Sequence, residues 1–461
     1  MAIFSSLASF FNRHKRKILI TSTVTISIYY LVNHFVIQKL RDYQNTLRQE
    51  LIFKQQIKQR FIQTQQDCYY TILALLPVLT APVIDYLPVE LITQALRLKK
   101  NNPSAQVTNT ATGGSNSELT TDNLNLLDNN NNPQSKLAIY LNKSKIELWN
   151  LLKIKTITRT LTLIYSISGL LLITRLQLNI LARRSYLESA ILMAGVKTSN
   201  NDIDPHENYI IEQSYLSLSW WLLNKGWINL NSIIEPLVVQ KFESINPKSE
   251  LSIEQFDLIF QDVINEISVN HRQTILANLF PINYDDLIET LLNTNPDLIN
   301  HLDTQDSNLV KLINETNTIM LDGNLGFFDL HNSVILNMLN TLVSNLSLNM
   351  NHGSSSLLAS SGNLKEQEAE AQLINANKTF KLASFLAQLS VQNGILIDND
   401  NLKDQQLNDD DEDIEGFINN LNNPSGILNS NNNNLSGNVY VNNLYLDELD
   451  DFSAGIYSNF E

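Results

Sequence analysis

Thr160-Leu161-Thr162-Leu163-Ile164-Tyr165-Ser166-Ile167-Ser168-Gly169-Leu170-Leu171-Leu172-Ile173 is the middle of a run, Lys143 to Met193, that holds no proline and a single glycine. Its apolar residues come so densely that almost no polar face remains, the pattern of a helix enclosed on all sides. A transmembrane span is the rival reading. Between Arg159 and Arg175, however, stand only 15 residues, about 22 Å of helix against about 30 Å of hydrocarbon. Hydroxyls at Thr156, Thr158, Thr160, Thr162, Ser166 and Ser168 also suit a protein interior better than lipid. The expectation is a central bundle helix, and with it an all-α fold.

Upstream, Gln38 to Leu79 repeats apolar residues three or four apart and reads as one long amphipathic helix, which Pro77 is expected to kink or end. A second helix is expected from Val89 to Lys100, exposing Arg97, Lys99 and Lys100. Earlier still, Ile18 to Ile37 carries no formal charge apart from His34 and follows Arg13-His14-Lys15-Arg16-Lys17. At about 30 Å of helix it matches a single membrane anchor. Counting Lys and Arg on its two flanks would put the bulk of the chain on the non-cytosolic side. The lone cysteine, Cys68, instead suits a reducing compartment and excludes a disulfide framework.

Downstream, Ser199 to Asn208 is a polar break. Tyr215 to Trp227 holds three of the four tryptophans and reads as a helix docked by aromatic anchors and closed by Gly226. Ser252-Ile253-Glu254-Gln255 has the spacing of a capping box that opens an amphipathic helix through Ile267. Helices are further expected over Thr274–Leu279, Tyr284–Leu292, Leu309–Leu321, Phe327–Leu348 and Ala369–Gln392. Residues 101–135, 351–365 and 398–440 are Asn-rich or of low complexity and cannot bury enough surface to offset their ordering entropy, so they are expected to be disordered. Leu444 to Glu461 regains apolar residues and is expected to dock back on the bundle. The predicted organisation is a basic segment at 1–17, an anchor at 18–37, and a large elongated helical bundle at 38–461.

The formal net charge of -15 argues against nucleic acid. The seven histidines are scattered, without metal-ligand spacing, and no Gly-rich phosphate cradle occurs. No catalytic residue, metal or cofactor is therefore expected. Trp149 is different: it stands on the amino half of the central run, before its dense core. It either seals the end of the bundle or anchors a partner, as tryptophan often does at interfaces. With Leu96 and Leu152 as floor and Arg97, Lys99 and Lys145 as rim, the second reading suits an amphipathic helix from an acidic partner.

Several strings carry a resemblance to the peroxin-3 family, and to its yeast members in particular. They are Arg13-His14-Lys15-Arg16-Lys17 before the span, Lys145-Ile146-Glu147-Leu148-Trp149, Thr174-Arg175-Leu176-Gln177-Leu178-Asn179-Ile180-Leu181, Leu216-Ser217-Leu218-Ser219-Trp220-Trp221-Leu222-Leu223-Asn224-Lys225-Gly226-Trp227, and Ser458-Asn459-Phe460-Glu461. The resemblance implies a non-enzymatic receptor of the peroxisomal membrane: single-pass, its bulk in the cytosol against the charge count, and passing through the endoplasmic reticulum during biogenesis. Its membrane-targeting signal would include Arg13, His14, Lys15, Arg16 and Lys17. Its groove for the amino-terminal helix of peroxin-19, the cytosolic carrier of peroxisomal membrane proteins, is matched by Trp149, Lys145, Leu96, Arg97, Leu152 and Thr93. Two positions depart from animal relatives: Arg97 replaces a lysine, and a late groove lysine falls at Gln388. The family also implies an alternative role, as a tether or adaptor for organelle-retention, inheritance and pexophagy factors.

Overall fold

The computed structural model describes residues 16–17, 19–30, 38–101, 133–193, 205–304, 307–355, 378–397 and 446–459. They are helical almost throughout, so the all-α expectation holds, with one short exception. Two compact units divide the chain at Thr64. The first contains α1 (Leu19–Tyr30) and the start of α2 (Gln38–Tyr86). Along α1 the exposed side chains are apolar or hydroxylic. Thr21 Oγ1 donates to the Lys17 carbonyl (2.9 Å), Thr23 Oγ1 to Leu19 (2.6 Å) and Thr25 Oγ1 to Thr21 (2.7 Å), so these hydroxyls are satisfied within the helix. Arg16 and Lys17 are exposed, whereas Arg13, His14 and Lys15 lie outside the described residues.

The second unit, from Gln65, is built around α5 (Lys145–Met193). Leu161, Leu163, Ile164, Leu170, Leu172 and Ile173 are all sealed from solvent, each burial worth about 1.5–3 kcal/mol. Around α5 pack α3 (Val89–Asn101), α7 (Trp227–Phe242), α9 (Arg272–Leu279), α13 (Phe327–Ser355), α14 (Leu382–Ile397) and α15 (Asp447–Ser458). The remaining helices are α4 (Pro133–Leu141), α6 (Pro205–Ser217), α8 (Ile253–Asn270), α10 (Tyr284–Thr294), α11 (Ile299–Leu302) and α12 (Asn308–Leu321). The expected capping box is present: Gln255 N–H donates to Ser252 Oγ and Ser252 N–H to Gln255 Oε1, both at 3.1 Å.

Several charged residues of α5 are buried too, and they meet partners from far along the chain. Lys153 Nζ donates to the carbonyls of Phe242 (2.7 Å), Glu243 (3.2 Å) and Ile245 (2.7 Å), closing the carboxyl end of α7. Arg159 grips Glu90 of α3 with both terminal nitrogens at 2.8 Å. Burial works against the Glu90 carboxylate, but the guanidinium holds its pKa below the usual value. Arg175 pairs with Asp450 at 2.7 Å, while Arg183 pairs with Glu315 and donates to the Ile456 carbonyl. The expected docking of the carboxyl-terminal segment thus takes the form of α15 clasped by two arginines.

Several expectations need correction. Pro77 does not end α2, which runs on through Pro82 to Tyr86; both prolines stand on its exposed side, where a missing N–H can be replaced by water. Residues 133–135, expected at the end of a disordered loop, instead open α4, which runs from Pro133 to Leu141; proline is tolerated in its first turn. The expected loop from 351 begins late, since α13 continues to Ser355, and the polar break ends early, since α6 starts at Pro205. Tyr215 to Trp227 is not one helix. α6 stops at Ser217, a π turn spans Leu222–Gly226 and α7 follows. Gly226 is helical and caps nothing; a Cβ there would run into the Asn278 carbonyl oxygen, so it is glycine because two backbones meet. Part of the expected helix 369–392 is instead strand Thr379–Lys381, antiparallel to Glu250–Ser252 with Leu251 opposite Phe380. Residues 398–440 lie outside the described residues.

Candidate functional site

Three elements meet at the amino end of α5. On α3, Val89, Ile92, Ala95 and Leu96 turn inward, because they recur at helical spacing in a segment whose other residues are mostly polar. From α5 come Leu148 and Leu152, and from α4 Leu137 and Tyr140. These residues form an apolar cluster of their own, distinct from the main core around the rest of α5. Trp149 packs against its edge and is half-buried.

Polar contacts fix the frame. Ser144 and Glu147 form a second capping box, absent from the sequence-based expectations although it has the Ser-x-x-Glu spacing that signals one. The Ser144 N–H donates to Glu147 Oε2 (2.8 Å), and the Glu147 N–H to Ser144 Oγ (3.2 Å). The Ser144 N–H, then its hydroxyl, holds the Glu147 carboxyl below its ordinary pKa. Lys99 Nζ donates to the Lys143 carbonyl, which ties the carboxyl end of α3 to the turn before α5. The Arg159–Glu90 pair fastens the opposite end of α3.

The predicted groove residues are therefore neighbours in the fold. Leu96 and Leu152, each 7% exposed, lie in the same cluster as Trp149. Thr93 sits beside Ile92, half-buried, its hydroxyl donating to the Val89 carbonyl at 2.8 Å. Arg97 and Lys145 are exposed on α3 and α5, and neither is ion-paired among the described residues. Gln388 lies on α14, outside this cluster. Spacing alone does not single out Leu98 (42% exposed), Ile139 (62%) and Ile146 (75%), apolar side chains that the same three helices leave in solvent. Arranged this way, the amino end of α5 and its neighbours offer an apolar floor, a tryptophan edge and a cationic rim. The remaining tryptophan region differs: Trp221 and Trp227 are buried, Trp221 Nε1 donating to the Ala277 carbonyl at 2.9 Å.

A family model described as Peroxin-3 matches residues 9–459. The chain belongs to the peroxin-3 family. It is 53% identical over 464 residues, all of both chains, to the peroxisomal biogenesis factor 3 of Debaryomyces hansenii. To the peroxisomal membrane protein PEX3 of Komagataella phaffii it is 34% identical over 477 residues, 98% of this chain and 99% of the relative. The rat peroxisomal biogenesis factor 3 is 27% identical over 248 residues, 54% of each chain. The resemblance carried by the quoted strings is thus borne out, including its leaning toward yeast members of peroxin-3. Peroxin-3 is by name a family of peroxisome biogenesis factors, and some of its relatives here are named membrane proteins.

Proposed function

We propose that this peroxin-3 is a non-catalytic docking receptor of the peroxisomal membrane. Its site at Trp149 takes the amino-terminal helix of peroxin-19, the carrier that brings peroxisomal membrane proteins for insertion. The observation that carries the reading is the separate apolar cluster at the amino end of α5, with half-buried Trp149 at its edge and exposed Arg97 and Lys145 beside it. An amphipathic helix bearing acids would cover the exposed apolar side chains and meet the cationic rim, which speeds encounter and selects the partner's sign.

In this reading residues 18–37 anchor the chain, residues 1–17 target it, and the remainder faces the cytosol. The internally satisfied hydroxyls of α1 favour an anchor, since lipid supplies no hydrogen bonds. The test is a titration of the full chain with the partner's amino-terminal peptide. Trp149→Ala is expected to weaken binding by about 2 kcal/mol or more, and Lys145→Glu to weaken it with a marked salt dependence. Unchanged affinity in Trp149→Ala would remove the assignment.

A further inference from the structure

Among the described residues, two helical stretches are long and apolar enough to cross a membrane. The most apolar window of the α5 stretch is 89% buried, so the core accounts for it, but that of Lys54–Lys100 is only 44% buried. Much of what remains uncovered is one stripe of α2. Between Asp67 and Asp85 the exposed positions are Tyr70, Ala74, Pro77, Val78, Ala81 and Pro82, with Tyr70 and Val78 each 52% exposed. Their three- and four-residue steps put them on one face, and none is charged. An apolar stripe of this length without a polar break marks an interaction surface.

Three occupants compete, and the ends of the stripe decide between them. Asp67 and Asp85 are exposed on the same face, about 27 Å apart, and neither is ion-paired among the described residues. A second copy laid antiparallel would set Asp67 against Asp85, and laid parallel would set each acid against itself; like charges then oppose the contact. Lipid fits poorly as well. The stripe is flanked by two exposed carboxylates and holds no lysine or arginine, whereas a helix lying on a bilayer sets cations beside its apolar face. An apolar helix with lysine or arginine near both ends fits, because it covers the stripe and supplies opposite charge to both acids.

We propose that the Tyr70–Pro82 face of α2 is a second docking surface, for an amphipathic partner helix with an apolar stripe and basic residues at each end. Its charge preference is the reverse of that of the Trp149 site, so the two surfaces take different partners.

The test uses the full chain in nanodiscs of a neutral phospholipid and two labelled synthetic helices. One has an Ala/Leu/Val face with lysines near both ends, about 18 residues apart; the other carries glutamates there. The lysine helix should bind saturably, and Asp67→Lys with Asp85→Lys should weaken it at least about tenfold while admitting the glutamate helix. Val78→Lys should abolish binding and Trp149→Ala leave it unchanged. Absence of saturable binding, equal binding of both helices, or loss of binding in Trp149→Ala would each overturn the proposal. A dye on Val78→Cys, which labels selectively because Cys68 is buried, checks the rival occupants. If the dye is quenched by the nanodisc lipids, or if Val78→Lys alters the sedimentation of the protein alone, the face belongs to the bilayer or to a second copy and the proposal falls.

Discussion

Lys153 is a buried cation whose counterparts are mostly carbonyl dipoles. Burial pushes its pKa below the usual lysine range, with Glu243 acting in the opposite direction. Of the three carbonyls it meets, Phe242 is the last residue of α7, Glu243 is its cap and Ile245 stands in the turn beyond; at such a helix end the exposed C=O groups and the dipole favour positive charge. Lys153→Met keeps the aliphatic stem and removes every donor. It should destabilise the protein by about 2–4 kcal/mol in urea unfolding, and a loss under about 0.5 kcal/mol would show that the carbonyls find other partners. His331 makes the opposite case. It is fully buried on α13, with Nε2 at 3.0 Å from Ser168 Oγ and its ring edge-on to Tyr165, and burial lowers its pKa to about 4. The folded state keeps this ring neutral, whereas the unfolded chain takes up a proton below about pH 6.5. Stability should therefore fall as pH drops from about 6.5 to about 4, by about 3 kcal/mol from this residue, and level off below that. His331→Gln should flatten that part of the pH profile measured by urea unfolding.

At the scale of elements, two glycines separate packing from propensity. Gly226 begins the passage from the π turn into α7 against the Asn278 backbone, so Gly226→Ala forces two elements apart and should cost about 3 kcal/mol or more. Gly394 stands exposed in α14 with open space where a side chain would begin, and Gly394→Ala should raise stability by about 0.5–1 kcal/mol. Thermal or urea unfolding of the pair gives opposite signs if this account holds. The contrast also shows which parts of the fold are legible in sequence. Helices with strong periodicity, such as α3, α8 and α12, are readable almost to their ends, because local spacing and caps determine them. The π turn, the Gly226 contact and the short strand pair are not, because each is dictated by a segment distant in sequence. α4 escapes notice for a related reason: nine residues with a weak apolar face are helical here because Leu137 and Tyr140 have a cluster to cover.

At the scale of the whole second unit, the same logic explains the site. The cluster under Trp149 can be anticipated in part, since Leu96 and Leu152 already stand at helical spacing in the segments that meet at the tryptophan. Its separation from the main core, and the exposed Leu98, Ile139 and Ile146 around it, follow only from the way α3 and α4 meet α5. Thr93 comes from family resemblance alone, its place set by an i to i−4 hydroxyl bond. The buried arginines of α5 carry a further consequence. Arg175 waits for Asp450, 275 residues later, and Arg183 for Glu315 and Ile456, 132 and 273 residues later. Until its covering helices arrive during synthesis, α5 is a greasy rod that insertion machinery could mistake for a span. Each arginine adds about 2.5–3.5 kcal/mol to the cost of entering the bilayer centre, so the cations that tie the finished fold together would also keep the half-made chain out of lipid.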